Sequence, residues 1–413
     1  MSIIGCVADD VTGATDIASV LAAVGRSALV VFDVDRVDPD DLREADALVV
    51  ALKSRTAPVA DAVAASTAAI QWTRDQGAST FFFKYCSTFD STPEGNIGPV
   101  IDALLPELGL DVALVAPAYP RNGRTVYQGR LFVGHVPLDE SPMRHHPLTP
   151  MRDASLERLL RPQTRLGISS LFLDAVRSGG IADELAPAGE PRIVIADAID
   201  DDDLVALARA AGEHVLLTGG AGLALGLGAD GDDEATGGDP VVARPGERLI
   251  LSGSASATTR RQVAHAREHL PTLKLDAARI ADDPVAYAGE VFAWVTAQWD
   301  AAPGRAALVY ATDSLTDLDA APSAVSGDDV EWVLGLVAQH AAPRLGALIV
   351  AGGETSGRVV HDLGIASLRV GQVIAPGVVW TDALTAHGRM GLALKSGNFG
   401  ADDMFTNAWE LLA

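Results

Sequence analysis

The sequence CVADDVTGATDIA, at residues 6–18, decides the fold class from which the rest of the chain is interpreted. The apolar run at residues 3–7 predicts a buried strand, and the apolar spacing of residues 17–24 predicts a helix. Residues 9–13 are then expected to form the turn that joins them. A strand that passes through a turn into a helix is typical of an α/β protein.

The carboxylates of this turn, Asp9 and Asp10, together with Asp16, are the first candidates for a ligand-binding site. In an open α/β sheet, ligands bind outside the carboxyl ends of the strands, where this turn is predicted to lie. The alternative is that Asp10 or Thr12 only caps the helix, because short polar side chains there accept hydrogen bonds from free backbone amides. The turn alone does not decide between these interpretations.

The composition limits the class of protein. The chain has 413 residues, of which 48% are hydrophobic, and this predicts a globular protein of two to three domains. No apolar run approaches the roughly 18 residues that span a bilayer, and no basic segment precedes an apolar one at the start, so we expect a cytoplasmic protein. The net charge of −24 argues against binding to nucleic acid or to anionic membranes. An anionic substrate therefore needs a locally positive pocket.

Cations lie at the ends of predicted strands in the first half of the chain. Lys53 and Arg55 follow one such strand, and Lys84 lies near the end of the next, at residues 80–85. That strand runs into the loop CSTFDSTPEGNIG at residues 86–98, which has more hydroxyls and carboxylates than a capped turn requires. Lysine is scarce in this chain, so its presence in polar motifs suggests contact with an anion.

Turns of small residues mark the second half of the chain. The sequences SGSASATT (252–259) and AGGETSG (351–357) each follow a predicted strand and enter a helix. Backbone amides can approach a phosphate closely at such turns, although a serine-capped helix alone would explain the first of them. The sequence KSGNFG (395–400) adds a lysine, as a triphosphate would require. The chain contains no P-loop sequence.

The domain boundary is predicted from composition. Residues 229–246 are acidic, rich in Gly and Pro and poor in large apolar residues. We therefore predict a first domain at residues 1–230, a linker at 231–246 and a second domain at 247–413.

Cysteine and histidine do not predict a disulfide framework or a metal site. The two cysteines, Cys6 and Cys86, are too few for either and are expected to be small buried hydrophobes. The neighbouring His145 and His146 lack a cluster of further ligands. The ligands of any metal ion are therefore left unassigned.

Signature sequences in both halves resemble those of the four-carbon acid sugar kinase family. They are ADDVTGA (8–14), GGET (352–355) and KSGNFG (395–400). Two longer sequences resemble the 3-oxo-tetronate 4-kinase branch of that family, namely FKYCSTFDSTPEGNIG (83–98) and HPLTPM (146–151). Two positions depart from the family pattern. Val11 stands where the family usually has Phe, and Glu94 stands where many relatives outside this branch have Arg, so the substrate carboxylate must find another cation.

The resemblance implies two α/β domains with mainly parallel sheets and a cleft between them for substrate and nucleotide. The N-terminal domain would bind a small acid sugar, and the C-terminal domain would bind ATP with Mg²⁺. The implied reaction is transfer of the γ-phosphoryl group to the terminal (C4) hydroxyl of 3-oxo-tetronate, with D-threonate and D-erythronate as alternative substrates. Neither nucleic acid nor a membrane is expected as a partner, and homo-oligomerisation is left open.

Site residues are assigned by motif or by their place at a strand end. Asp10 is the first choice for the acid that orients the attacking hydroxyl, and Asp16 is the second. The residues expected to bind the acid sugar are Asp9, Lys53, Arg55, Lys84, Ser87 and Asp90. The residues expected to bind ATP, which the resemblance suggests together with the place of Lys395, are Ser252, Ser254, Ser256, Gly352, Gly353, Glu354, Thr355, Lys395 and Gly397.

Two other classes of protein are kept as alternatives. A non-catalytic sugar-acid sensor would use the same two domains but would have no need of the glycine turns and Lys395. A nicotinamide-dependent dehydrogenase is disfavoured, because the Gly-x-Gly-x-x-Gly at residues 226–231 runs into acidic sequence and not into a helix.

Overall fold

A computed structural model describes residues 2–146, 149–187, 189–228, 240–314 and 325–412. The chain divides into two compact units, Met1–Val34 with Asp40–Ala235 and Asp35–Pro39 with Thr236–Ala413. The linker predicted at residues 231–246 and the motif at 146–151 fall partly outside the described residues, so the predicted domain boundary stays a prediction. No helix in the described ranges is long and apolar enough to cross a membrane.

The first unit is built on a parallel sheet. In chain order its strands are β1 (Ile3–Ala8), β2 (Ala28–Val31), β3 (Ala47–Ala51), β4 (Ala78–Lys84), β5 (Val112–Ala116), β6 (Arg124–Tyr127), β7 (Arg130–Val133), β8 (Val136–Pro137), β9 (Gly167–Leu171), β10 (Arg192–Ala196) and β11 (Val215–Gly219). The order across the main sheet is β2-β3-β1-β4-β11-β5-β10-β9, with parallel pairs throughout. Strands β6, β7 and β8 form a small antiparallel sheet. In the main sheet, strands such as β3 and β5 are short runs of Val, Leu and Ala. They are buried along their whole length, as expected of parallel strands covered by helices.

Helices connect the parallel strands of this unit. They are α1 (Val11–Ala23), α2 (Pro39–Glu44), α3 (Val59–Asp75), α4 (Ile97–Leu108), α5 (Leu156–Leu160), α6 (Leu173–Ser178), α7 (Ile181–Leu185) and α8 (Asp201–Ala211). In α4 the buried residues Ile97, Val100, Ile101 and Leu104 follow helical spacing, so one face packs on the sheet. That helix ends at Gly109, whose φ of 68° lies in the left-handed region that favours glycine.

The second unit is built on a mixed sheet. Its strands are β12 (Glu247–Ser252), β13 (Thr272–Lys274), β14 (Ala307–Tyr310), β15 (Leu345–Ala351), β16 (Ser367–Ala375), β17 (Val378–Thr385) and β18 (Gly388–Lys395). The order is β13-β14-β12-β15-β18-β17-β16, in which β17 runs antiparallel to both of its neighbours and the other pairs are parallel. The helices are α9 (Ala257–His269), α10 (Ala277–Asp282), α11 (Pro284–Ala301), α12 (Gly327–Ala341), α13 (Gly353–Asp362) and α14 (Met404–Asn407).

Two tryptophans anchor the packing of the second unit. Trp299 and Trp380 are fully buried. Each indole N–H donates to a backbone carbonyl, Trp299 to Arg248 at 3.0 Å and Trp380 to Ala408 at 2.8 Å. Burial of these large rings therefore leaves no unpaired indole donor.

The predicted fold class, α/β with two mainly parallel sheets, is confirmed. The predicted start of the first helix was wrong, because α1 begins at Val11 and the turn before it is reduced to Asp9 and Asp10. Asp10 is the N-cap, with extended backbone angles, and Thr12 and Gly13 lie in the first helical turn. The first turn of α1 is buried on every side. It therefore lacks the alternation of polar and apolar residues from which a helix start is predicted.

Candidate functional site

The register of three central strands brings distant polar residues together in the first unit. β1 lies between β3 and β4, and Ala8 at its end pairs with Ala51 on one side and Lys84 on the other. Backbone bonds continue past the strand ends, since the Asp9 amide donates to the Lys84 carbonyl at 3.0 Å and the Arg55 amide donates to the Asp9 carbonyl at 3.2 Å. We call the side chains Asp9, Asp10, Asp16, Arg55 and Lys84 the acid cluster.

Arg55 is the centre of the acid cluster. Its guanidinium donates two hydrogen bonds to Asp9, from Nε to Oδ2 at 2.8 Å and from Nη2 to Oδ1 at 2.7 Å. Nη2 also donates to Oδ1 of Asp10 at 2.7 Å. Such charge-assisted, two-pronged contacts fix the orientation of both carboxylates.

Asp10 and Asp9 differ in exposure and in the direction in which the pKa of each is shifted. The side chain of Asp10 is 28% exposed, whereas that of Asp9 is 7% exposed. Burial raises the pKa of Asp9, although Arg55 opposes the rise. Burial by itself would also raise the pKa of Asp10. The charges of Arg55 and Lys84 and the hydrogen bonds from Thr12 and Gly13 have the larger, opposite effect. They hold the pKa of Asp10 below its usual value. Of the two carboxylates, Asp10 is therefore the more accessible, and it is the one whose pKa is held low.

Asp16 and Lys84 form the buried side of the acid cluster. Lys84 Nζ lies 3.7 Å from Oδ2 of Asp16 and donates to the Tyr85 carbonyl at 3.1 Å. Burial raises the pKa of Asp16 despite Lys84, and its Oδ1 is buried with no hydrogen-bond partner in the described part of the chain. A Cβ added at Gly13 would lie 2.2 Å from Asp10 Oδ1 and 3.2 Å from Lys84 Nζ, so only glycine allows this close approach.

The other residues predicted to bind the acid sugar lie around this cluster to different degrees. Asp90 is buried and accepts a hydrogen bond from the Thr88 hydroxyl at 2.6 Å, and Ser87 beside it is half-buried. Lys53, in contrast, is exposed, and within the described ranges it does not pair with the carboxylates of the acid cluster. The structure thus brings Arg55 and Lys84 to the carboxylates and leaves Lys53 at the surface.

Asn96 holds the loop that carries Arg55, and the sequence analysis did not single it out. Its Nδ2 donates to the carbonyls of Ser54, Arg55 and Ala57 at 2.6, 3.2 and 3.0 Å. The side chain is buried, so these bonds are shielded from water. In the sequence, Asn96 is an amide residue inside the polar loop 86–98. Local patterns cannot link that loop to the loop that carries Arg55, because the two are distant along the chain.

The second unit gathers its small-residue turns at the ends of β12, β15 and β18. The Gly253 and Ser254 amides donate to the Ala351 carbonyl at 3.0 and 3.2 Å, and the Gly352 amide donates to the Lys395 carbonyl at 2.9 Å. These backbone bonds tie the three turns together. We call the residues Ser252, Ser254, Ser256, Gly352, Thr355, Lys395 and Gly397 the turn cluster.

Glycine is required at close contacts within the turn cluster. Gly352 has a φ of 126°, which L side chains rarely adopt. A Cβ at Gly397 would lie 2.8 Å from Ser254 Oγ and 2.9 Å from Ser256 Cβ. A Cβ at Gly253 would lie 2.2 Å from Thr355 Oγ1. A side chain at any of these glycines would therefore overlap the serine and threonine side chains of the cluster.

Lys395 is fully buried in the turn cluster without an ion pair in the described part of the chain. Its Nζ donates to Thr259 Oγ1 at 2.7 Å and to the Gly397 carbonyl at 3.0 Å. Burial lowers the pKa of Lys395 to about 7. The Ser256 hydroxyl caps α9 by accepting from the Thr259 amide at 3.1 Å and also donates to the Gly397 carbonyl. Ser256 is therefore both a helix cap and a member of the cluster.

Within the described part of the chain, two hydroxyls beside the turns lack hydrogen-bond partners, and no cluster of side chains forms a metal site. Ser252 Oγ and Ser356 Oγ are buried without hydrogen-bond partners among the described residues. Gly353 and Glu354 lie in the first turn of α13, where Glu354 is exposed. In the described ranges, no group of three or more His, Cys, Asp or Glu residues could hold a metal ion.

Comparisons with known proteins agree with this division into two sites. Residues 4–227 match the family model of a sugar-binding N-terminal domain, and residues 249–405 match that of a nucleotide-binding C-terminal domain. The 3-oxo-tetronate kinase of Cupriavidus necator is 45% identical over 99% of this chain and 97% of its own length. That of Burkholderia multivorans is 44% identical over 99% of this chain and 97% of its own length.

Solved structures of similar proteins share the whole fold. A Salmonella typhimurium LT2 protein, described as a tRNA synthase, superposes with a TM-score of 0.88 at 39% identity and covers 100% of both chains. A Haemophilus influenzae protein superposes with a TM-score of 0.80 at 38% identity, covering 99% of this chain and 100% of its own. The full-length identity to the named kinases and the two matching domain models lead to one conclusion: the chain belongs to the four-carbon acid sugar kinase family, with the 3-oxo-tetronate kinases as relatives.

Proposed function

We propose that the protein is an ATP-dependent kinase that phosphorylates the C4 hydroxyl of 3-oxo-tetronate. The observation that carries the proposal is the acid cluster. It presents an ionised, accessible carboxylate at the carboxyl end of a central strand, in the unit that matches a sugar-binding domain. The names of the relatives supply the substrate.

Asp10 is the residue we assign to the attacking hydroxyl. In the transfer, the C4 oxygen bonds to the γ-phosphorus, the bond to the bridging oxygen breaks, ADP leaves, and the hydroxyl proton passes to Asp10 and then to water. Phosphoryl transfer depends on positioning more than on covalent chemistry. Arg55, Thr12 and Gly13 orient Asp10 and keep it ionised. Asp16 is less suited, because it is buried and burial raises its pKa.

The turn cluster suits a nucleotide phosphate. Gly253, Gly352 and Gly397 leave no room for a side chain, and the buried Ser252 and Ser356 hydroxyls, which have no hydrogen-bond partner among the described residues, are candidates to bond phosphate oxygens. Lys395 supplies a positive charge in a site with little water. We assign ATP to these residues together with Gly353 and the amide of Glu354.

Mg²⁺ is proposed on the chemistry of the substrates. The described residues form no cage of acidic or histidine ligands, which agrees with an ion held mainly by phosphate oxygens and water. Bound in this way, the ion would neutralise developing charge on the phosphates. Its test is the loss of ATP-induced thermal stabilisation when a chelator is present.

A substrate screen tests the proposed function. Purified protein is incubated with ATP, Mg²⁺ and each four-carbon acid sugar with or without the 3-oxo group, and both ADP release and the phosphorylated product are measured. We expect the highest kcat/KM with 3-oxo-tetronate. Higher values with D-threonate or D-erythronate would replace the proposed substrate, and binding of acid sugars without any phosphorylated product would favour a non-catalytic sensor. NAD serves as a ligand that should not stabilise the protein.

The description of one similar protein is not carried over to this chain. The tRNA synthase description belongs to the Salmonella protein, and the net charge of −24 here argues against a nucleic acid substrate. Cytoplasmic location remains a prediction from sequence, and homo-oligomerisation remains open.

A further inference from the structure

We infer that Arg124 binds the carboxylate of the acid sugar and thereby makes the enzyme select acids over neutral sugars. The inference rests on the proposed function, since it assigns one group of that substrate to one side chain. Four observations carry it: the charge balance of the acid cluster, the position of Arg124, its missing partners and the contrast with Arg121.

The acid cluster has no cation left for a further carboxylate. Asp9, Asp10 and Asp16 outnumber Arg55 and Lys84, so the cluster as defined is acidic. Arg55 already uses Nε and Nη2 on Asp9 and Asp10. Lys84 is 3% exposed and faces Asp16. A substrate carboxylate placed against these groups would meet net negative charge, so it requires a cation outside the cluster.

Arg124 lies at the same edge of the sheet. It begins β6, soon after β5 ends at Ala116. The Tyr119 amide donates to the Arg124 carbonyl at 2.8 Å, and the Arg124 amide donates to the Tyr119 carbonyl at 3.1 Å. This exchange of both backbone bonds holds the base of the small sheet next to the end of β5.

The charge of Arg124 interacts with Asp16 of the acid cluster. Burial raises the pKa of Asp16, and Lys84 and Arg124 both oppose that rise. Tyr119, which pairs with Arg124, is also buried, and Asp16 adds to the effect of burial in raising the pKa of its hydroxyl. Arg124 and Tyr119 are thus close enough to Asp16 for their electrostatic interaction with it to shift a pKa.

Arg124 has binding capacity that no described protein group uses. Its Nε is buried without a hydrogen-bond partner among the described residues. Nη1 donates to the Asn122 carbonyl, and no described carboxylate forms an ion pair with the guanidinium. A buried, unpaired N–H is costly, and a ligand carboxylate would satisfy it with a charge-assisted bond.

Arg121 provides the matched contrast. It lies in the same loop, but its side chain is 55% exposed and its Nε donates to Asp201. The two arginines therefore differ in the property on which the inference depends, which is whether the protein itself neutralises the charge.

The test compares an acid sugar with its carboxamide in Arg124→Met and Arg121→Met. For the wild type we expect kcat/KM to be about 100-fold higher with the acid, because a charge-assisted pair is lost with the carboxamide. Arg124→Met should reduce that ratio to near 1, mainly through a higher KM for the acid, and leave ATP-induced stabilisation unchanged. Arg121→Met should keep the ratio. Arg124→Lys, which retains charge but not the planar fork, should recover part of it.

The outcomes separate this inference from the proposed function. If the wild type phosphorylates no four-carbon acid, the proposed function fails whatever the variants do. If the wild type is active and the ratio survives in Arg124→Met, the role of Arg124 is wrong and the kinase activity stands. If Arg124→Met does not fold, Arg124→Gln, which is polar but uncharged, decides, and an unchanged ratio in that variant overturns the inference.

Discussion

The acid cluster and the turn cluster both lie at the carboxyl ends of central strands, but they are built in opposite ways. In the acid cluster, side-chain charges of both signs hold one another through short ion pairs, with Arg55 bonded to two carboxylates. In the turn cluster, backbone and hydroxyl groups make the contacts, and Lys395 is buried without a described carboxylate partner. The first arrangement suits the orientation of a reacting group, and the second suits the binding of an anionic ligand.

The largest expected effect comes from removing the accessible charge of the acid cluster. Asp10→Asn should lower kcat by about 10²- to 10⁴-fold, the range for a positioned acid–base group. The fold should persist, because Asn is also a good N-cap. Steady-state kinetics with a four-carbon acid sugar measures the loss, and ATP-induced stabilisation should be unchanged.

Asp200→Asn is the control for helix capping. Asp200 is the N-cap of α8 in the same unit and accepts from the Asp203 amide at 3.0 Å. This variant should keep wild-type turnover. Near-normal activity in Asp10→Asn would remove Asp10 from the mechanism, and an equal loss in both variants would mean that capping, and not charge, matters.

The next effect separates the turn cluster from the acid cluster. Gly397→Ala should raise the KM for ATP by about tenfold, because the new methyl group would overlap Ser254 and Ser256. The KM for the acid sugar should change little. Gly289→Ala is the matched control, since a Cβ there meets nothing within 4 Å. A rise in the KM for the acid sugar alone would contradict the assignment of this cluster to ATP.

A smaller effect is expected from the support beneath Arg55. Asn96→Ala removes the bonds to the Ser54, Arg55 and Ala57 carbonyls and should cost about 1–3 kcal/mol of unfolding free energy. The KM for the acid sugar should rise several-fold while the KM for ATP stays the same. Asn407→Ala, which removes an exposed bond to Asp403, should change neither constant. Equal changes in both KM values would make Asn96 a general stability residue.

A further effect, measured on stability and not on turnover, is a pH dependence carried by the turn cluster. An unfolded lysine keeps its proton up to about pH 10.4, whereas burial lowers the pKa of folded Lys395 to about 7. Between these values the unfolded chain binds more protons, so this group makes stability rise with pH. Lys395→Met should therefore be more stable than the wild type near pH 6, and its advantage in Tm should shrink as the pH approaches about 9.5. If the difference in Tm between Lys395→Met and the wild type does not change with pH, the lowered pKa of Lys395 is contradicted.

Much of the fold was predictable because its signals are local. Apolar runs and helical spacing predicted the alternation of strands and helices, and the fold class is confirmed. The start of α1 was not predictable from periodicity, because Val11, Thr12 and Gly13 are all buried.

The candidate site was predictable in its residue types and less so in its arrangement. Asp9, Asp10, Arg55 and Lys84 were expected to bind ligand, and the structure brings them together, although their roles remain predictions. Lys53, Arg55 and Lys84 were all expected to bind the acid sugar. In the structure, Arg55 and Lys84 are paired with protein carboxylates and Lys53 is exposed, whereas Nε of Arg124 has no partner among the described residues.

The sequence by itself determined that carboxylates and small-residue turns follow buried strands, since strand ends and turn chemistry are encoded by neighbouring residues. Only the tertiary structure decided which charges meet. Ala8 pairs with Lys84 across a sheet whose strands are joined by long helical connections. The register of parallel strands depends on the packing of whole layers, so no local pattern could state that Arg55 holds Asp10 or that Asn96 holds Arg55.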